Sequence, residues 1–234
     1  MPPTPRPAGP KKKASVKVPS SGDDSNRRLL IGIGIAAAVV VIAGGLSFVL
    51  FGGGSGSTGI GGGASPADAT KKLEAAGCTV KSVKSLASND HSVLTPEGTS
   101  PKWNTSPPTS GAHYGQQAIW GSFTESLLHA QVVHNLEPRG IFIQYGKDVP
   151  QATIDQLQAF YGEHQNGTLL APLPSLGSKI ALGAWTTKDG KPDDGTAYLV
   201  KCTDFDEAAY AAFFAANQFK GPERFPMSSL LPGS

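Results

Sequence analysis

The sequence predicts an α+β fold: one compact domain with a mixed or antiparallel sheet and a few helices, preceded by one transmembrane helix. Three observations carry this expectation. Residues 29–51, "LLIGIGIAAAVVVIAGGLSFVLF", hold no charge, and about 20 apolar residues suffice to cross the hydrocarbon core. Apolar, β-branched runs of strand length recur after residue 78, bounded by Gly, Pro, Asn and Asp. Helical patterns fall between those runs without a clean βαβ rhythm, which favours α+β over a doubly wound sheet.

Residues 1–28 are rich in Pro, Ser, Lys and Arg and nearly devoid of large apolar side chains. Such a segment cannot bury enough surface to offset its ordering entropy, so it reads as a disordered basic tail. Its net charge is +5, against +2 for the whole chain, so the folded part is acidic. The basic residues thus point to topology and not to nucleic acid, which is not an expected partner. Lys11–Lys13 and Arg27–Arg28 flank the amino-terminal side of the apolar run. The positive-inside rule then places the tail in the cytoplasm and the carboxy-terminal bulk outside, with the membrane as partner. The run is longer than the h-region of a cleaved signal peptide, so an uncleaved single-pass anchor is expected. Residues 52–64, "GGGSGSTGIGGGA", read as a flexible tether with a reach of about 20 Å.

Residues 65–234 form the expected extracytoplasmic domain. Ser65-Pro66 reads as an N-cap followed by proline at the first helical position, opening a helix that carries Ala67, Leu73 and Ala76 and stops at Gly77. "CTVKSV", "QVVHNLE", "GIFIQY", "TLLAPLP", "KIALGAWT" and "TAYLVKC" read as strands, with "DGKPDDG" as a turn. A helix opens at Asp148-Val149-Pro150 and runs to about His164, with Ile154, Leu157, Phe160 and Tyr161 on one face. A last helix starts at a capping-box-like pair, Asp204 and Glu207, ends near Lys220-Gly221, and buries Phe205, Ala209, Ala212, Phe213 and Ala216. Residues 88–123 show no persistent period. Their aromatics Trp103, Tyr114, Trp120 and Phe123 predict a long loop that packs down. The chain's two cysteines, Cys78 and Cys202, both fall on the exported side and are expected to form a disulfide.

"PPTSGAHY", "VVHNLEPRGIFIQY", "AWT" with "CTDFD", and "GPERF" occur in an order that resembles a bacterial, membrane-anchored family, domain of unknown function 3105. The resemblance runs from about Cys78 to Phe225. That family reads "PPTSGxH" and then "vHsLEHG", with a further histidine upstream. Position by position, the resemblance points to His91, His113, His134 and Glu137. Where the family has LEHG this chain has Leu136-Glu137-Pro138-Arg139-Gly140, so one histidine is missing. The resemblance supplies positions and not a reaction.

Two readings of these residues stand. In the first, His91, His113 and His134 hold copper or zinc. Glu137, His129, Ser110 and Tyr114 then support them, and His129 is also a substitute for the missing ligand. This requires the three imidazole nitrogens to converge within about 4–5 Å, since metal–nitrogen bonds are roughly 2 Å long. In the second, the same residues only hold the Pro-Pro-Thr-Ser-Gly loop, and the domain is a structural or interaction module of the envelope. A hydrolytic Ser110–His113 pair is the third possibility, but Ser110 lacks the G-x-S-x-G elbow. No catalytic residue is assigned, and a non-enzymatic domain is the expectation.

Overall fold

The computed structural model describes residues 64–188, 191 and 194–234. The tail, the apolar run and all but the last residue of the tether lie outside these residues. So do Asp189, Gly190, Pro192 and Asp193 of the expected turn. Among the described residues no helix is long and apolar enough to cross a membrane.

Helix α1, Pro66–Ala75, starts as its sequence dictates. The Ser65 hydroxyl accepts from the Asp68 N–H at 3.1 Å, and Gly77 beyond its end takes φ +79°. It buries Ala69 and Leu73, while Ala67 is exposed. Six strands then form one sheet: β1 (Thr79–Lys84), β2 (Gly121–Ser122), β3 (Ile141–Tyr145), β4 (Thr168–Pro172), β5 (Ile180–Thr187) and β6 (Gly195–Cys202). Their order is β1-β6-β5-β3-β4-β2. The β1/β6, β6/β5 and β5/β3 pairs are antiparallel, whereas β4 runs parallel to both β3 and β2. The sheet is therefore mixed, and α3 (Gln151–Glu163) crosses between the parallel neighbours β3 and β4.

The central strands are buried on both faces, so they read as unbroken apolar runs. On one face Ile141, Ile143, Leu182 and Val200 pack with Leu73 of α1, Leu157 and Phe160 of α3, and Tyr210 and Phe213 of α4 (Glu207–Asn217). On the other face Phe142, Ala181 and Trp185 meet Trp120, Val132, Val133, Leu136 and Leu230. The long loop, the short helix over residues 129–136 and the carboxy-terminal segment thus cover this face. The α4 N-cap is Asp206, accepting from the Ala209 N–H at 2.8 Å, and not the Asp204 of the expected box. This helix stops at Asn217, short of Lys220-Gly221.

Cys78 and Cys202 are bonded, with Cα atoms 4.2 Å apart. Thr79 stands opposite Lys201 in the β1/β6 ladder, so the bridge occupies the next rung and closes the end of the sheet.

One expected strand is a helix. "QVVHNLE" forms α2, His129–Leu136, with Ala130, Val132, Val133, His134, Asn135 and Leu136 all buried. A helix buried nearly all round shows no polar face, so its β-branched valines imitate a strand. Tertiary packing overrides that preference. Asn135 holds the helix to the loop by exchanging two hydrogen bonds with the Ala118 backbone, at 2.9 and 2.8 Å.

Candidate metal centre

The loop that delivers His113 is built from inward hydrogen bonds. Thr109 N–H donates to Thr105 Oγ1 at 2.9 Å, and the Trp103 indole N–H donates to the Ala112 carbonyl at 2.8 Å. Leu86 N–H donates to Ser110 Oγ at 3.1 Å. Thr109, Ser110 and His113 are consequently buried within a segment that has no regular structure. Gly111 sits at φ +99°, where a Cβ would also lie 2.6 Å from Leu86. Only glycine fits there, and its carbonyl accepts from His113 Nδ1–H at 2.8 Å. The His113 backbone N–H donates to the Asp90 carbonyl at 2.8 Å, tying in the segment that carries His91.

His134 lies in the last turn of α2 and donates its Nδ1–H to the Tyr114 carbonyl at 2.8 Å. Both buried histidines therefore spend Nδ1 on the backbone, leaving Nε2 to face other side chains or a ligand. The ligand atoms of His91, His113 and His134 all lie within 4.8 Å of one another, with His91 exposed and the other two buried. Ring centroids stand 4.7 Å (His91–His113), 5.3 Å (His91–His134) and 4.8 Å (His113–His134) apart. Imidazoles sharing one tetrahedral ion through bonds of roughly 2 Å have centroids about 5 Å apart. The centroids stand at that spacing, while ligand atoms up to 4.8 Å apart must draw in to the roughly 3.3 Å between donors on one ion.

Glu137 follows α2 with helical dihedrals, φ −63° and ψ −47°. Its Oε1 accepts from the Asn89 N–H, and its Oε2 lies 3.1 Å from His113 Nε2, both side chains being 0 % exposed. Burial pushes the His113 imidazole down, but the Glu137 carboxylate and the Gly111 carbonyl outweigh it, and the net shift is upward. Burial pushes Glu137 up, but His113 and the Asn89 amide hold it below its usual value. His134 is pushed down by burial and so favours the neutral form that ligates metals.

The profile of a family described as "Protein of unknown function (DUF3105)" matches residues 95–228, more than half of the chain. The chain belongs to this family. No curated protein and no solved structure matches the chain. The DUF3105 match includes His113, His134 and Glu137 but begins after Cys78 and His91, so it is narrower than the resemblance from Cys78 to Phe225. The departure at Pro138-Arg139 leaves the cluster whole, because the three remaining histidines come together without it. That step lies in the turn that follows α2, with Arg139 at φ +85°.

The remaining expected residues take other places in this DUF3105 domain. His129, at the start of α2, packs edge-on to Trp103 at 6.4 Å and is not in the cluster. Ser110 accepts from Leu86, while the His113 nitrogens face Gly111 and Glu137, so no nucleophile–base pair links Ser110 to His113. Tyr114 contributes its carbonyl and not its phenol. Residues not singled out from the sequence also matter. Asn89 adopts φ +53° to aim its N–H at Glu137, and asparagine is among the few side chains that tolerate that region. Glu223, inside the quoted "GPERF" block, donates its N–H to the Glu137 carbonyl at 3.0 Å. Burial and the nearby Glu137 charge raise its carboxyl.

Proposed function

We propose that this domain binds one divalent transition-metal ion, zinc or copper, through His91, His113 and His134. One observation carries the reading: both buried imidazoles commit Nδ1–H to backbone carbonyls, leaving nitrogens that converge with His91 within 4.8 Å. Such outer hydrogen bonds orient histidines in metal sites and set the tautomer that ligates. No thiolate donor is on offer, because both cysteines are in the disulfide. An all-imidazole set suits zinc and copper(II). With one ligand exposed, the ion has a route in from solvent.

Titration of the protein without a histidine tag, after chelator treatment, tests this. Zn(II) or Cu(II) is expected to bind at about one per chain, and His113→Ala is expected to lose stoichiometric binding. No stoichiometric metal in the wild type sinks the proposal. It leaves the domain as a structural or interaction module whose histidines hold the loop, a role the His113–Glu137 contact supports.

The site belongs, in the same proposal, to the outer side of a cell membrane. The uncharged run at 29–51, the basic residues before it and a disulfide in the folded part support that placement. Alkaline phosphatase fused after Ser234 is expected to be active. An expressed but inactive fusion reverses the orientation.

A further inference from the structure

The three-histidine reading leaves Glu137 without a stated part, and the geometry points to one: Glu137 Oε2 is the fourth ligand of the same ion. The centre is then a three-histidine, one-carboxylate site for a divalent first-row cation. This rests on the proposed metal binding and adds to it a ligand and a charge.

The two carboxylate oxygens of Glu137 have different surroundings. Oε1 is engaged by the Asn89 N–H. Oε2 is buried, as is His113 Nε2, and the two face each other at 3.1 Å without the alignment of a hydrogen bond. In the metal-free domain the two are held together by charge, and an ion that displaces the proton of His113 Nε2 takes the place between them. Two donors of one tetrahedral ion with bonds of roughly 2 Å lie about 3.3 Å apart. The spacing of Oε2 and His113 Nε2 is that of neighbouring ligands on a common ion.

Local structure points the same way. His134 and Glu137 are three residues apart on a continuous helical backbone, so their side chains leave α2 on one face. Charge agrees as well. Three neutral imidazoles leave a dication's charge uncompensated at a largely buried position, and a carboxylate halves it. An oxygen donor and the lack of a free thiolate also disfavour monovalent copper.

Glu137 further connects the ligand segments. The Asn89 amide held by Oε1 lies two residues before His91, the exposed ligand. One carboxylate thus binds the ion through Oε2 and fixes the His91 loop through Oε1. Losing it removes a donor and frees a second.

The test uses the full-length, untagged protein labelled with ¹³C-glutamate, titrated with Zn(II) and followed by infrared difference spectroscopy. A Glu137→Gln variant identifies the band, because its amide oxygen can still accept from Asn89. On binding about one equivalent, a buried carboxylate is expected to show the wider asymmetric–symmetric splitting of monodentate coordination, absent in Glu137→Gln. Zn(II) affinity is expected to fall at least about 10²-fold in that variant, the upper end of what losing an outer partner costs. If Glu137→Gln does not fold, Glu137→Asp identifies the same band. Stoichiometric binding with the Glu137 carboxylate unchanged overturns the fourth ligand and leaves the three-histidine site standing. No stoichiometric binding overturns both.

Discussion

Replacing Cys78 and Cys202 together by alanine is expected to lower the unfolding free energy by about 4–5 kcal/mol. The bridge spans a sequence separation of 124 residues, so it removes a large closure entropy from the unfolded chain. It also ties the amino-terminal end of the edge strand β1 to the end of β6. Both cysteines pack in the principal core, against the α1 and α4 side of the sheet. Losing the bridge therefore loosens α1 and β1 before the centre of the sheet. Denaturant unfolding of the double variant against the oxidised wild type measures the effect. Alkylation of the wild type is expected to find no free thiol. A loss below about 1 kcal/mol contradicts the role assigned to the clamp.

Glu137→Ala is expected to destabilise the metal-free domain by about 3–5 kcal/mol, the usual cost of breaking a buried ion pair from one side. It strands the Asn89 N–H and leaves His113 Nε2 without its carboxylate. Glu137→Gln costs less, since its amide can accept from Asn89 and face a neutral imidazole. The stability gap between wild type and Glu137→Gln depends on pH. The folded-state pKa of His113 is raised above 6.5, so its contribution is complete below pH 6.5 and fades as pH rises through the raised value. That of Glu137 is lowered below 4.5, so its contribution is complete above pH 4.5 and fades as pH falls through the depressed value. The gap is therefore widest between pH 4.5 and 6.5. Beyond the effect of burial, the Glu137 charge also raises His134 and Glu223, so the loss of that charge in Glu137→Gln adds their response to the gap. Thermal unfolding across pH 3–9 (about the accessible range) in the presence of chelator checks this, and a flat gap contradicts a charged pair.

Part of this site was legible before any fold was known. His113 announced itself through the prolines and glycine around it, because a rigid turn is a costly way to carry an unused imidazole. The packing of the long loop followed from its aromatics. The relation of His134 to Glu137 was hidden, because "QVVHNLE" reads as a strand. In a strand, residues three apart point to opposite faces. In the helix that actually forms, the same two residues share one face. The contribution of Asn89 was also hidden, since no pattern marks a single left-handed residue whose partner lies 48 positions away.

The sequence by itself determined the segment order: the charged tail, the uncharged run, the glycine tether and an α+β domain with paired cysteines. These follow from composition and short-range periodicity, which act between neighbours in the chain. Only the tertiary structure decided that α2 is a helix, that His91, His113 and His134 converge, and that Glu137 faces them. Those outcomes depend on packing between segments far apart in sequence. The second face of the sheet had to be covered by a loop and one short buried helix, and that contact chose both the helix and the direction of its side chains.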